Sequence, residues 1–242
     1  MTITPLGPLV PDIPDIPRVT WDEFLAGFVW NQGEHVAMIG PTGDGKTTLG
    51  MRLLSQREYI VTFATKPRDE TLDLYEKRMG FKKIPLWKSR MSIEKYPKRL
   101  LWPDARSLTS HPHQRKVFYA ALSDIYEQGS WCVDIDELWW MSRVLGLEKE
   151  MKIYLQQGRS NLLSLLCKTQ RPAFVPLEIY DQSTHLFFWA DNDRTNLNRI
   201  SGIGSFNSDA IRARVSTLQR YEALYINTRE KRMMTFFPPP PE

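Results

Sequence analysis

Short apolar runs recur along the chain, and each is bounded by polar residues, glycine or proline. They cover residues 35–39, 59–64, 131–135, 162–167 and 185–190. Apolar runs of this length, bounded in this way, predict β-strands. One more short strand is predicted over residues 99–102.

The segments between these runs have a helical period. Val117, Ala121 and Ile125 recur four residues apart, which predicts an amphipathic helix over residues 111–128 with one face in the core. Helices are also predicted over residues 21–30, 48–54, about 69–79 and 148–157. Because strands alternate with helices, we expect an α/β fold with a mostly parallel central sheet.

The C-terminal part alternates between apolar and polar positions. Tyr221 and Tyr225 alternate with Arg220 and Glu222, and a polar turn follows at residues 228–230. This pattern predicts a C-terminal β-hairpin of two half-buried strands, one over residues 218–227 and the other over residues 231–237.

Proline sets both ends apart from the middle of the chain. Proline occurs at positions 5, 8, 11, 14 and 17, which places all five on one edge of a polyproline II helix. We expect an extended arm over residues 1–18, a single domain over residues 19–237 and a proline tail over residues 238–242. The arm could lie across its own domain or reach a neighbouring subunit, and the tail could dock in a partner's aromatic groove.

Residues 40–47 have the sequence GPTGDGKT, which fits the phosphate-binding P-loop pattern G-x-x-x-x-G-K-[ST]. The loop lies between a predicted strand and a predicted helix, which is the context the motif requires. Its backbone N–H groups and the helix N-terminus favour phosphate; Lys46 reaches the β- and γ-phosphates, and the Thr47 hydroxyl can ligate Mg²⁺. We therefore expect an ATP site formed by Gly40, Pro41, Thr42, Gly43, Asp44, Gly45, Lys46, Thr47 and Thr48.

A second motif follows about ninety residues later. The apolar run at 131–135 ends in Asp136 and Glu137, an arrangement typical of a Walker B segment. Asp136 would hold the Mg²⁺ ion and Glu137 would act as general base toward the attacking water. Asp134 competes for the metal role, but Asp136 lies closer to the carboxyl end of the strand, where sites in parallel sheets form. Together the two motifs predict a three-layer, RecA/ASCE-like P-loop NTPase.

The composition of the chain bears on its cellular compartment and on the state of its cysteines. The chain has 242 residues, of which 42% are hydrophobic, and a net charge of +4. No apolar run approaches the roughly 18 residues of a membrane span, and the N-terminus lacks the pattern of a signal peptide, so we expect a cytoplasmic protein with no direct membrane insertion. Cys132 and Cys167 lie in apolar runs, which predicts buried, reduced thiols.

One segment is strongly basic. Residues 77–99 contain nine lysines and arginines, Arg99 among them, against the single acid Glu94, which gives a net charge of +8. Two aromatic residues, Trp87 and Tyr96, are interspersed. This segment is the first candidate for contact with nucleic-acid phosphates, and a solvated surface is the alternative.

The sequence also resembles that of a known family. Gly158-Arg159, an apolar strand, and the run Thr169-Gln170-Arg171-Pro172 resemble the segment of FtsK–HerA superfamily ATPases that ends in TQRP. The P-loop and the Asp136–Glu137 pair precede this segment in the order that the family has. The resemblance covers roughly residues 35–200.

The resemblance implies a function and further site residues. Family members are pumps of double-stranded DNA that form rings, so it implies a hexameric or pentameric homo-oligomer, with a portal, membrane or capsid protein as a further partner. It places the strand ending at Gln170 between the P-loop strand and the Walker B strand, where Gln170 can sense the γ-phosphate. It also implies an arginine acting in trans, for which Arg159 and Arg171 are the candidates. The short length is closest to packaging or transfer ATPases of viruses and mobile elements, in which case the compartment is the host cytoplasm.

Two other functions compete with a DNA pump. An ATP-dependent assembly or morphogenesis factor that acts on protein partners would carry the same Walker motifs in a chain of this size. A nucleotide or small-molecule kinase would also carry a P-loop, but the sequence has no recognisable lid or acceptor site, and Gln170 suits attack by water.

Overall fold

The computed structural model describes residues 15–170, 176–200, 203 and 206–240. Strands and helices alternate along most of the chain, as the apolar runs predict. The helices are α1 (Trp21–Gly27), α2 (Lys46–Leu54), α3 (Glu70–Met79), α4 (His111–Gln128), α5 (Glu148–Gln157), α6 (Glu178–Gln182), α7 (Arg194–Ile200) and α8 (Ser208–Thr217). The strands are β1 (Val36–Ile39), β2 (Ile60–Phe63), β3 (Lys82–Ile84), β4 (Lys98–Leu101), β5 (Cys132–Ile135), β6 (Ser164–Thr169), β7 (His185–Phe188), β8 (Ala223–Asn227) and β9 (Arg232–Phe236).

All nine strands belong to one sheet, in the order β3-β4-β2-β5-β6-β1-β7-β8-β9. The first seven strands in this order are parallel to one another, whereas β8 pairs antiparallel with both of its neighbours, β7 and β9. The structure therefore confirms a mostly parallel sheet that ends in a C-terminal hairpin. It also confirms that β6 lies between the P-loop strand β1 and the Walker B strand β5.

Helices cover both faces of the sheet, which gives three layers. Residues of β1 alternate between the faces: Val36 and Met38 pack with Phe24, Leu53 and other residues of α1, α2 and α3. The intervening residues of β1, Ala37 and Ile39, belong to a second core that includes apolar residues of α4, α5 and α8. This two-sided burial explains why the parallel strands are continuous apolar runs rather than alternating ones.

The prediction of half-buried strands in the hairpin is wrong. All five residues of β8 are buried, because β8 lies between β7 and β9 and is covered on both faces. Leu224 belongs to one core and Tyr225 to the other. Tyr221, which the alternation placed in this strand, lies before it with a positive φ of 67°.

The basic segment contains one cation that cannot meet a phosphate. Arg99 lies in β4 with a relative exposure of 1%. Its guanidinium carbon is 4.7 Å from the ring centroid of Trp87 and 4.8 Å from that of Trp131. Arg99 is therefore a buried structural residue held between two indoles, and the prediction that it contacts nucleic acid is wrong.

The described end of the N-terminal arm lies against the hairpin. Val19 N–H donates to the carbonyl of Thr235 at 2.8 Å, and Thr235 N–H donates to the carbonyl of Pro17 at 2.9 Å. Ile16 is buried in the core. Residues 15–19 therefore pack on their own domain, whereas the first four prolines of the arm lie outside the described residues.

None of the helices in the described ranges is long and apolar enough to cross a bilayer. Both cysteines are buried, as predicted, and their burial raises the pKa of each thiol.

Candidate nucleotide-binding site

The P-loop joins β1 to α2 at the carboxyl edge of the sheet. Gly45 precedes the helix with φ = 95°, a left-handed conformation that favours glycine. A Cβ on Gly40 would lie 2.7 Å from the Cβ of Trp189, so a side chain does not fit there either. Two of the glycines are therefore required by the local geometry, and α2 begins directly at Lys46.

Lys46 lies inside the loop. Its ammonium donates hydrogen bonds to the carbonyl of Gly40, at 2.6 Å, and to that of Pro41. Burial lowers the pKa of Lys46 to about 8, although the nearby carboxylates of Glu137 and Asp44 favour the charged form. A lysine in this position brings a positive charge to the base of the loop.

The two candidate metal carboxylates have different surroundings. Asp134 is fully buried, pairs with Lys168, and accepts hydrogen bonds from Thr62 at 2.9 Å and from Tyr75 at 3.1 Å. Asp136 extends beyond the end of β5 toward the P-loop. Because these contacts already occupy the Asp134 carboxylate, they favour Asp136 as the candidate metal ligand.

Asp136 and Thr47 fit a Mg²⁺ site. Among the described residues, no group donates a hydrogen bond to the buried Oδ2 of Asp136, and Lys66 Nζ is the nearby cation at 3.5 Å. Burial raises the pKa of Asp136, which reflects the cost of an incompletely compensated carboxylate. Asp136 and Thr47 line the same cavity, and a carboxylate and a hydroxyl are hard oxygen ligands of the kind that Mg²⁺ uses.

Glu137 is the residue next to Asp136 on the same edge of the sheet. Its Oε1 accepts a hydrogen bond from the backbone N–H of Trp139 at 3.3 Å. Burial raises the pKa of Glu137, and this hydrogen bond partly opposes the effect. A carboxylate with a raised pKa is a better proton acceptor than an exposed one.

One cavity of about 600 Å³ brings these residues together. Residues 42–48 of the predicted nucleotide site line it, and Gly40 and Pro41 lie behind Lys46 as its hydrogen-bond acceptors. Asp136, Glu137 and Gln170 line the same cavity. The structure thus brings the P-loop, the acidic pair and the residue after β6 around a single volume that is large enough for a nucleotide.

A second cavity, of about 500 Å³, lies on the other side of Glu137 and Gln170. Both residues line both cavities, so they form part of the wall between them. The second cavity is also lined by the loop at residues 105–108 and by Trp139 and Trp140, among others. The catalytic candidates can therefore be approached from two directions.

Of the two arginine candidates, Arg159 lines neither cavity. Arg159 is exposed, in a short 3₁₀ segment before β6, at the opposite edge of the sheet from the P-loop. Six residues of β6 separate the two edges, a distance of about 20 Å at the usual rise of a strand. Arg171 lies outside the described residues. A role of either arginine in trans, at the site of a neighbouring copy, stays a prediction.

The structure adds residues that sequence reasoning missed. Lys66 lies after β2, beside Asp136, and Lys168 is a buried charge inside β6. The apolar run around Lys168 was a usable signal, because a charge in a buried strand needs a partner. Tyr221 and the segment 237–240 also line the cavity, and no local pattern indicates this.

The fold and the candidate site share the arrangement of one fold class. A P-loop after β1, an acidic pair after β5, and the strand β6 between β1 and β5 are arranged as in the RecA/ASCE-like P-loop NTPase fold. No protein-family model matches the sequence. No curated protein matches it either.

Several solved structures have the same fold. The genome packaging NTPase B204 from Sulfolobus turreted icosahedral virus 2, in complex with sulfate, superposes with a TM-score of 0.62 at 18% identity, over 88% of this chain and 99% of that one. VirB4 of Thermoanaerobacter pseudethanolicus gives a TM-score of 0.62 at 10% identity, over 86% and 89% of the two chains. The cytoplasmic domain of the Thermomonospora curvata type VII secretion ATPase EccC superposes with a TM-score of 0.56 at 13% identity, over 88% of this chain and 26% of that one.

At these identities the likeness establishes the fold. It agrees with the resemblance to FtsK–HerA ATPases carried by the sequence, and it confirms the α/β P-loop architecture.

Proposed function

We propose that this chain is an ATP-hydrolysing motor that moves double-stranded DNA, working as a ring in the cytoplasm, that of the host if the chain is viral. The observation that carries the proposal is that Lys46, Asp136, Glu137 and Gln170 surround one cavity. B204, which has this fold, is described as a genome packaging NTPase and has been solved with ATP-γ-S and with AMPPCP.

The P-loop would bind the triphosphate. Backbone N–H groups of residues 42–47 and the N-terminus of α2 favour phosphate oxygens, and Lys46 adds a full positive charge. Thr47 and Asp136 would hold Mg²⁺, which when bound supplies positive charge against the γ-phosphate oxygens. Asp134 takes no part in this, because its carboxylate is already paired with Lys168.

Glu137 and Gln170 would act on the attacking water. As the water oxygen bonds to phosphorus, the water proton passes to the Glu137 carboxylate, and the bond to the ADP oxygen breaks. The Gln170 amide, on the same wall of the cavity, would orient the water and contact the γ-phosphate. A raised pKa of Glu137 suits this proton transfer.

The ring would complete the site. In P-loop NTPases an arginine supplied in trans stabilises the charge that develops during transfer, and Arg159 and Arg171 are the candidates here. The second cavity supports this arrangement, since a cation of a neighbouring copy that entered it would reach Glu137 and Gln170. Exposed cations of the basic segment would contact DNA phosphates, with Arg99 excluded because it is buried.

The test is the ATPase rate of the full chain with and without linear duplex DNA, over a series of salt concentrations. We expect Mg²⁺-dependent turnover that duplex DNA stimulates, with a stimulation that weakens as salt rises. Lys46→Ala should lose nucleotide binding and turnover. Turnover that DNA leaves unchanged but a protein partner stimulates would contradict the motor and favour an assembly factor; phosphate transfer to a small acceptor would favour a kinase.

A further inference from the structure

One end of the P-loop cavity is built from residues that a triphosphate does not need. Tyr221, Phe237 and Pro238–Pro240 line it, together with Thr48 in the first turn of α2. Phosphate groups call for N–H donors and cations, whereas this end presents two aromatic rings and three proline rings. The apolar end therefore suits a different part of a ligand.

Tyr221 is an exposed ring placed next to the P-loop. A Cβ on Gly45 would lie 3.9 Å from Tyr221 Cδ1, so the edge of the ring reaches the loop. The side chain is 45% exposed, and its backbone has φ = 67°, which is uncommon for a tyrosine. Core packing does not account for an exposed ring on a strained backbone, and such residues concentrate at ligand sites.

Arg220 packs over one face of the Tyr221 ring. The guanidinium carbon of Arg220 lies 4.8 Å from the ring centroid, in a cation–π contact. The arginine takes one face of the ring, so a planar group can stack on the other. Stacking on a tyrosine is sequence-tolerant toward bases, because every base has a π-face.

The C-terminal segment forms another part of the cavity wall. After β9, residues 237–240 run past α2, and Arg52 Nη2 of that helix donates a hydrogen bond to the carbonyl of Pro240 at 3.1 Å. Proline has no N–H, so Pro238–Pro240 present apolar pyrrolidine rings and no backbone donor. Residues 238–240 of the proline tail thus lie against the nucleotide cavity of their own chain.

We propose that Tyr221 and Pro238–Pro240 form the subsite for the base of the nucleotide, a purine in preference to a pyrimidine. This rests on the proposed function, since it assumes that the triphosphate occupies the P-loop. The base stacks on Tyr221 and against the prolines, and the larger ring system of a purine covers more of both walls. The tail is thereby a part of the binding site of its own chain.

The experiment measures Kd by calorimetry, with Mg²⁺, for two probes: ATP, and inorganic tripolyphosphate, which has no base. Tyr221→Ala should weaken ATP binding by about 5- to 150-fold, the range for loss of one base–aromatic stack. It should leave the Kd for tripolyphosphate within about twofold of the parent value. Tyr221→Phe should bind both probes like the parent, because it keeps the ring.

A second variant tests the other wall without changing Tyr221. Replacement of Pro238, Pro239 and Pro240 by serine should weaken ATP binding and spare tripolyphosphate. Tyr119→Ala is the matched control, because Tyr119 is an equally exposed tyrosine on α4, away from the cavity, and it should change neither Kd. CTP should be bound more weakly than ATP by the parent, and the difference should shrink in Tyr221→Ala.

The outcomes separate the two proposals. Unchanged ATP affinity in Tyr221→Ala and in the serine variant, or equal loss for both probes, would overturn the base subsite. Lys46→Ala should bind neither ATP nor tripolyphosphate. If it bound both with the Kd of the parent, the proposed role of the P-loop in binding phosphate would be contradicted, independently of the result for Tyr221.

Discussion

Lys168 Nζ lies 2.7 Å from Asp134 Oδ1 in the interior of the sheet, where neither side chain is more than 1% exposed. The pair joins β6 to β5, the strands that lead to Gln170 and to Asp136. Tyr75 contributes from α3: its hydroxyl donates to Asp134 and lies 3.3 Å from Lys168 Nζ. The contact occupies the Asp134 carboxylate, and it connects β5 to β6, the two strands that lead to the proposed catalytic residues.

We predict that Lys168→Met destabilises the fold by about 3–5 kcal/mol, because it leaves a buried aspartate without its cation. The double variant Asp134→Asn, Lys168→Met should recover more than half of that loss, since Asn can still accept from Thr62 and Tyr75. Urea unfolding measures both. Lys152→Met, which breaks partly exposed ion pairs with Glu148 and Glu178, should leave the midpoint near that of the parent. Equal losses in the single and double variants would contradict a paired role.

Glu137→Gln should bind ATP with near-parent affinity and lower kcat by about 10²- to 10⁴-fold, because an amide cannot take the proton of the attacking water. Calorimetry with ATP and steady-state phosphate release measure the two effects separately. Glu127→Gln, the same change on the exposed face of α4, should alter neither. Near-parent turnover in Glu137→Gln would remove this residue from the role of base.

The stability of the fold should fall in mild acid through His35. Its Nδ1 accepts the backbone N–H of Leu165 at 3.1 Å, and burial lowers its pKa to about 4 from an ordinary value of 6.5. Between pH 6.5 and 4 the unfolded chain therefore takes up a proton that the folded chain does not. The contribution of His35 is full above pH 6.5 and falls by about 3 kcal/mol on reaching pH 4.

His35→Asn keeps an acceptor for Leu165 N–H and removes the titration. Urea unfolding at intervals from pH 8 to pH 4 should show a shallower loss of stability for this variant than for the parent. Above pH 7.5 the difference between the two proteins should be constant, which serves as the internal control. Parallel curves over the whole range would contradict the buried, neutral imidazole.

The basic segment should supply part of the salt dependence of DNA binding. Lys88, Arg90 and Lys95 are exposed, in contrast to Arg99. Their joint replacement by glutamine should weaken duplex binding and reduce the slope of log K against log salt by about 0.9 for each phosphate that the protein no longer neutralises. Fluorescence anisotropy with labelled duplex measures the slope. Replacement of Arg115, Lys116 and Lys149, exposed cations on α4 and α5, removes the same charge and should have the smaller effect.

The regular helices were predictable because their signals are local. For α4 and α5 the predicted bounds match the structure, since an apolar stripe fills each helix and Gly129 follows the first. The helix α8 was missed although Asn207 caps it by accepting from the N–H groups of Asp209 and Ala210. An N-cap signal was therefore present in the sequence and would have identified this helix.

The remaining errors have tertiary causes. The edge strand β3 was not predicted. It has only three residues, two of them lysines, so the sequence has no apolar run there, and it pairs with one neighbouring strand. Charge alone could not separate Arg99 from its exposed neighbours, because its burial depends on two indoles that fold around it. The P-loop and the acidic pair were predictable from spacing, whereas Lys66, Tyr221 and the proline wall reach the cavity only through the fold.

The most direct test of the account is displacement of a third strand from the end of a linear duplex. A motor that moves along duplex DNA strips a triplex-forming strand in a reaction that needs ATP hydrolysis. We predict displacement by the parent with Mg²⁺ and ATP, and none by Glu137→Gln or with a non-hydrolysable analogue. Absence of displacement by a parent protein that hydrolyses ATP, or displacement that persists in Glu137→Gln, would contradict the proposal that hydrolysis at this site moves DNA.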